Sequence, residues 1–283
     1  MKKHLRFTLI VFVLFGYKTL AQHYIYAPMA LNPASTGNSE NLRISTNYTI
    51  VKDYQSYFLF TADAPVTKNG NLALGIQANV YKNNEVAYSL AEQKYFVGSI
   101  AYRIKIKEDN YLALGVQGMD IYNKTNGDYA PNSKIYKTLR MGVGANFYGK
   151  RGEFGISIPY FHEDSSPFNI HGSFVSNNLG KNAHLKISAV VYRPYQIYYG
   201  QSNQQSTFLD LGTTLYFKNL GLGVWANRIT EGSLISTYAV DYSFKDNLKL
   251  GLSFTPKTPY QIIQIHAKYD LKIYKRDIIR RYF

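Results

Sequence analysis

From residue 41 onward, apolar positions recur every second residue, the period of a half-buried strand and not of a helix. The stretch 72–81 shows this most clearly. Leu72, Leu74, Ile76, Ala78 and Val80 fall on one face, and Ala73, Gly75, Gln77, Asn79 and Tyr81 on the other. An apolar face against a small or polar one, sustained over about ten residues, is the length and pattern of a tilted membrane-spanning strand. The opening of this string returns as Leu112-Ala113-Leu114-Gly115, Leu209-Asp210-Leu211-Gly212 and Leu248-Lys249-Leu250-Gly251. These spacings are uneven, which marks recurring strand grammar and not a solenoid repeat.

Turn residues divide the pattern into strands. Gly149-Lys150-Arg151-Gly152 reverses the chain between two alternating runs, and Lys107-Glu108-Asp109-Asn110 and Lys245-Asp246-Asn247 mark other tight turns. The pattern predicts strands near 41–50, 56–64, 71–81, 93–105, 111–122, 138–148, 153–160, 184–193, 207–217, 221–229, 233–244, 248–255 and 260–273. Short links at 65–70, 106–110 and 149–152 alternate with longer ones at 82–91, 123–136 and 161–183. Outer-membrane barrels show this asymmetry, with short periplasmic turns and long external loops. After residue 195 the alternation fades and gives no sides. Single-chain bacterial barrels have an even strand count. The expected fold is therefore an all-β transmembrane antiparallel up-and-down β-barrel of about 14 strands (12–14), one more than the pattern resolves.

A soluble β-sandwich or propeller would also alternate, but its outer face would carry Lys, Glu, Thr and Ser. Here the face opposite the apolar one is often Gly, Ala, Ser, Asn or Gln, as a crowded polar lumen requires. Aromatic residues gather near strand ends, at Asn146-Phe147-Tyr148, Pro159-Tyr160-Phe161 and Leu215-Tyr216-Phe217, consistent with interfacial girdles.

The N-terminus adds an address. Lys2, Lys3 and Arg6 precede an apolar run from Phe7 to Gly16, and Thr19-Leu20-Ala21 offers small residues for cleavage after Ala21. The run is too short to span a bilayer, and no later segment reaches the ~18 apolar residues that a membrane helix needs. The expected organisation is a Sec-type signal peptide over 1–21, a Pro/Gly lead-in over 22–40, and a barrel with a basic C-terminal tail over 41–283. The expected location is the outer membrane of a Gram-negative cell.

Composition supports this assignment. The chain has 27 Tyr, 16 Phe and 21 Gly with only 9 Pro, a strand-rich inventory, and its lack of Cys excludes disulfides and thiolate metal sites. Net charge is +14; without the signal peptide, 28 basic residues face 18 acidic ones. Such a balance suits lipid phosphates or an acidic protein partner. The basic residues are scattered, which argues against nucleic acid. The densest cluster, Lys268, Lys272, Lys275, Arg276, Arg280 and Arg281 against Asp270 and Asp277, reads as a solvated terminus or as a contact for an anionic partner.

The segment Gln22-His23-Tyr24-Ile25-Tyr26-Ala27-Pro28-Met29-Ala30-Leu31-Asn32-Pro33-Ala34-Ser35-Thr36-Gly37 resembles the box of the PorP/SprF family of the type IX secretion system. Tyr24, Pro28, Asn32, Pro33, Ala34 and Gly37 match it; Ala27 replaces an Asn, and Ser35-Thr36 replace Tyr-Ala. Thr61-Ala62-Asp63-Ala64-Pro65-Val66 and Leu222-Gly223-Val224-Trp225-Ala226-Asn227-Arg228 are similar to later parts of the family pattern. The resemblance implies a non-enzymatic barrel that helps a large adhesin-like cargo reach or stay on the cell surface, in some members for gliding motility. Its partners would be type IX components, that cargo and outer-membrane lipid.

The residues of the box have a physical reading of their own. Two prolines remove donors and fix φ, and Gly37 can take a positive φ, so the segment reads as a rigid lead-in that is neither strand nor helix. Its structural role would be to pin the N-terminus against the periplasmic rim; its functional role would be to dock a partner.

No catalytic or metal constellation emerges, and no cofactor is implied. His162-Glu163-Asp164 with His171 is the one His/acid cluster, and it reads as a solvated loop without helical His-Glu-x-x-His spacing. No Gly-x-Ser-x-Gly elbow or Walker-type phosphate loop occurs. Asp63, Asp120, Asp210 and Asp241 lie in or at the ends of strands, and a wet lumen accounts for each. The competing function is a general or solute-selective porin with Gln77, Asn79, Gln117, Asn146 and Asn227 lining water, narrowed by Tyr81 and Trp225 if these point inward. A barrel enzyme is the third class, and nothing in the chain picks out its site.

Overall fold

The computed structural model describes residues 27–39, 41–52, 55–83, 90–107, 109–125, 135–161, 166–176, 179, 183–193, 207–228, 234–244, 247–256 and 261–273. The signal peptide, Tyr24, the His162–Asp164 cluster and the tail from 274 lie outside them.

Fourteen antiparallel strands close into one barrel. In order they are β1 (Leu42–Val51), β2 (Gln55–Pro65), β3 (Leu72–Asn83), β4 (Leu90–Lys107), β5 (Asn110–Thr125), β6 (Ile135–Tyr148) and β7 (Gly152–Ile158). There follow β8 (Phe168–Val175), β9 (Ala183–Arg193), β10 (Phe208–Phe217), β11 (Leu220–Arg228), β12 (Leu234–Phe244), β13 (Leu248–Thr255) and β14 (Ile262–Leu271). Each strand pairs with its neighbours in sequence, and β1 closes on β14 from Leu42↔Leu271 to Val51↔Ile262. Closure gives every strand a partner on both sides, the condition for a sheet to stand in lipid. No helix among the described residues is long and apolar enough to cross a membrane.

The faces follow the alternation. On β3, Leu74 and Ile76 are exposed outward, while Ala73, Gln77 and Asn79 are buried inside. The same inversion, apolar out and polar in, runs around the wall: Asn47, Thr61, Ser99, Gln117, Asn146, Ser157 and Asn169 are all buried. Lipid accepts the apolar side chains, and polar groups are satisfied inside.

The strand missing from the sequence reading is β8. In the sequence its residues fall within the long link expected at 161–183, since Ser165-Ser166-Pro167 precedes them and Asn177-Asn178 follows. Phe168, Ile170 and Phe174 alternate with Asn169, His171 and Ser173, so the period-2 signal is present but short. His171 accordingly sits not in a solvated loop but in a strand, buried against Gly155. With β8 in place, links at 66–71, 108–109, 149–151, 176–182, 218–219 and 245–247 share one rim with both strand termini of the barrel. Links at 52–54, 84–89, 126–134, 159–167, 194–207, 229–233 and 256–261 join the strands at the other, so every link is assigned to one of two rims. The first rim carries the shorter links, and by the rule that barrels turn tightly on the periplasmic side it is assigned to the periplasm. A thiol introduced by Lys52→Cys, exposed on the second rim, is expected to react with an impermeant maleimide on intact cells, and Asn219→Cys only after permeabilisation. The chain has no native Cys to confuse the labelling.

Three further expectations change. Asp120 faces outward and is exposed, because on β5 the inward positions are the odd ones, Ala113, Gln117 and Met119. Lys268 and Asp270 belong to β14 and pair with each other at 3.3 Å, so they are not part of a solvated tail. The aromatic clusters also split between faces: Phe147, Phe161 and Phe217 are exposed outward, but Tyr148 and Tyr216 turn into the lumen and are buried.

Candidate functional site, a lumen closed by the N-terminal segment

The residues of the box are inside the barrel. Pro28–Leu31 forms one turn of α-helix and Pro33–Ser35 one 3-10 turn. Each proline stands at the start of its turn, where a missing N–H costs nothing. Asn32 precedes Pro33 and is extended, with φ −147° and ψ 118°, which ends the first turn. Its side-chain oxygen then caps the second by accepting from the Ala34 N–H at 2.9 Å. The segment is thus helical in two short pieces, a correction to the reading as neither strand nor helix. The prolines constrain the residues before them and begin turns at the same time.

From Asn32 outward the wall is bonded to this segment. Asn32 Nδ2 donates to the carbonyls of Ala145 on β6 (2.9 Å) and Ile156 on β7 (3.2 Å). The Leu31 carbonyl accepts from Ser157 Oγ at 2.7 Å and Asn169 Nδ2 at 2.9 Å. Asn146 Nδ2 donates to Ser35 Oγ at 3.0 Å. Near the rim, Arg43 donates from Nε to Asp63 Oδ1 at 2.9 Å and from one terminal nitrogen to Oδ2 at 2.8 Å. The same guanidinium reaches Asn38 Oδ1 at 2.7 Å and the Ser35 carbonyl at 3.3 Å. Asp63 also accepts from the Gly37 N–H. Gly37 has φ +68°, a conformation that favours glycine, and turns the chain towards β1.

A belt of small wall residues makes room for the segment. A Cβ on Gly115 would lie 2.6 Å from Ala34 Cα, one on Gly75 2.8 Å from Met29 Cε, and one on Gly144 3.1 Å from Pro33 Cδ. A Cβ on Gly155 would lie 2.7 Å from Asn32 Nδ2. Ala34 itself packs in a cluster with Ala113 and Tyr148, and Tyr148 stacks on Tyr111 with ring centroids 5.5 Å apart. Pro28, Asn32, Pro33, Ala34 and Gly37 are all buried. They lie within the periplasmic half of the lumen, not merely against its rim. The wall glycines were visible in the sequence as the recurring Leu-x-Leu-Gly openings. Gly75 and Gly115 face the N-terminal segment, whereas Gly212 and Gly251 make room for the rings of Trp225 and His266.

Wall side chains project into the remaining lumen. Lys249 pairs with Asp241 at 3.0 Å, and its ammonium lies 4.7 Å from the centroid of the Tyr216 ring. Higher up, Thr237 and Thr255 share a hydrogen bond of 2.7 Å, and Ser253 donates to Gln264, which reaches Thr49. Asp63, Asp210 and Asp241 all point inward and are buried. Gln77, Asn79, Gln117 and Asn146 also point inward, but buried; Gln117 is bonded to the Pro159 carbonyl at 2.6 Å. Trp225 is inside and buried, and the side chain of Asn227 lies outside the described residues. Among the described residues no three His, Asp or Glu side chains come together to hold a metal ion.

The family model described as type IX secretion system membrane protein PorP/SprF matches residues 14–261. No curated protein matches. Among solved structures, the CymD monoaromatic hydrocarbon channel is similar with a TM-score of 0.55 at 10% identity, covering 87% of this chain and 93% of its own. The outer membrane protein Omp33 of Acinetobacter baumannii gives a TM-score of 0.51 at 11% identity, covering 83% and 100%. At these identities the likeness is one of fold.

Proposed function

Since the chain belongs to the PorP/SprF family of type IX secretion system membrane proteins, we propose that this outer-membrane component aids secretion or surface anchoring of a large adhesin-like cargo, including cargo used in gliding motility. The observation that carries the reading is the occupied lumen. Its periplasmic half holds residues 27–39 of the chain itself, hydrogen-bonded to β6, β7 and β8 and, through Arg43 and Asp63, to β1 and β2. A barrel so filled is suited to meet proteins with its rims and wall more than to pass solutes. In this reading Pro28, Asn32, Pro33, Ala34 and Gly37 seat the segment.

Mild-detergent affinity purification of the tagged protein from native outer membranes tests the proposal. Secretion components, or one large secreted protein, are expected to co-elute. Recovery of the barrel alone, with reproducible conductance steps in planar bilayers, would replace this reading with the porin. A gene deletion that left both the secretome and the surface adhesins unchanged would also defeat it.

A further inference from the structure

The outward face of β3–β6 carries an organised patch near the external rim. In register, Lys94 of β4 stands beside Tyr122 of β5, which stands beside Lys137 of β6. One rung farther out, Lys82, Glu92 and Lys124 form the parallel row. Lys82, Lys124 and Lys137 are exposed. Lys94 lies 3.3 Å from Glu92 and 5.5 Å from the Tyr122 ring centroid. Four lysines and one glutamate leave a net charge of +3 on four consecutive strands.

Directly below, towards the membrane, Phe96, Asp120 and Leu139 share a rung, and Gly98, Gly118 and Met141 share the next. Phe96, Leu139 and Met141 are 63%, 76% and 63% exposed. Unlike the lumenal glycines, Gly98 and Gly118 have nothing within 4 Å of where a Cβ would stand. Glycine weakens a strand, and here no contact within the chain requires it. The pair leaves a recess in the lipid-facing wall, walled by two protruding apolar side chains and roofed by a carboxylate and then by ammonium groups.

We propose that this patch binds a phosphorylated, multiply acylated amino-sugar lipid of the outer leaflet, the chemistry of lipid A. Each layer of such a lipid meets its complement. Its phosphates reach the rows of Lys82, Lys94, Lys124 and Lys137, where charge-assisted bonds are strongest. Its amide N–H and hydroxyl groups, which lie between phosphates and acyl chains, donate to the Asp120 carboxylate. One acyl chain lies over Gly98 and Gly118 between Phe96 and Met141. Asp120 also supplies discrimination: a glycerol phosphodiester lipid brings ester oxygens, which cannot donate, to this depth and leaves the carboxylate without a partner, which disfavours it. The assignment is independent of the cargo reading, because it uses only the outer wall.

The test is binding of hexa-acyl, bisphosphorylated lipid A, and separately of dioleoyl phosphatidylglycerol, to the purified full barrel in nonionic detergent, read by native mass spectrometry. Lipid A is expected to bind at least about ten-fold more tightly than phosphatidylglycerol. The triple change Lys94→Gln, Lys124→Gln and Lys137→Gln is expected to remove at least about ten-fold of that affinity. Gly118→Leu, whose Cβ would meet nothing within 4 Å, is expected to weaken lipid A by filling the recess. Heat-modifiable gel migration confirms that each variant remains a folded barrel. Equal affinity for the two lipids, or undiminished lipid A binding by both variants, would overturn the proposal.

Discussion

The native barrel is expected to be silent in planar bilayers, and removing residues 22–39 to make it conduct in steps. The N-terminal segment occupies the periplasmic half of the lumen. The Leu31 carbonyl, the Asn32 amide and the Ser35 hydroxyl are bonded to β6, β7 and β8, and without them nothing in the described chain replaces these contacts. Truncation also strips partners from Arg43, so a second variant is needed that leaves the chain intact. Gly115→Val supplies it. The new Cβ would stand 2.6 Å from Ala34 Cα, a separation no packed pair tolerates. Valine is otherwise well suited to a strand interior, so the wall holds and the segment must leave. Gly118→Val, three residues along on the outward face, places a Cβ with nothing within 4 Å and is expected to stay silent. If truncation and Gly115→Val both gave folded, silent barrels, the wall side chains alone would suffice to close the lumen, and the N-terminal segment would not be its seal.

What could be read in the sequence and what could not divide along one physical line. Alternation reports which side of a sheet a residue faces, so the inward Gln77 and Asn79 and the outward Leu74 and Ile76 were legible from residues 72–81 alone. Parity does not say what a face meets. Gly75 and Gly212 look alike in the string Leu-x-Leu-Gly, yet one admits the N-terminal segment and the other an indole ring. Asn32 is similarly mute: its two donations cross 113 and 124 residues of sequence, a relation that no local pattern encodes. Asp120 was misread because an acidic residue in a strand suggests the lumen, whereas its parity with Leu112, Leu114 and Val116 places it outside. The even-count rule recovered the number of strands without locating the missing one, and Asn169 and His171 of that strand therefore went unseen as part of the lumen.

The clamp between Arg43 and Asp63 gives the second large effect. Both side chains are out of contact with water, at 1% and 0% exposure, and the guanidinium meets the carboxylate through two parallel bonds. Asp63→Ala leaves a buried cation with only Asn38 and the Ser35 carbonyl, and leaves the Gly37 N–H without its acceptor. Breaking a buried pair from one side costs roughly 3–5 kcal/mol, which denaturant unfolding in detergent can resolve. Asp63→Asn keeps an oxygen for Gly37 but removes the charge that offsets Arg43, and is expected to recover only part of the loss. Arg43→Met combined with Asp63→Asn removes the buried cation as well, and replacing both members of such a pair is often nearly neutral. The double variant is therefore expected to lie within about 1 kcal/mol of the native chain. A double variant no more stable than Asp63→Ala would mean that Arg43 matters chiefly through Asn38 and Ser35, holding the segment rather than balancing Asp63. In that case the double variant should also conduct, whereas a barrel stabilised by the pair itself should remain closed.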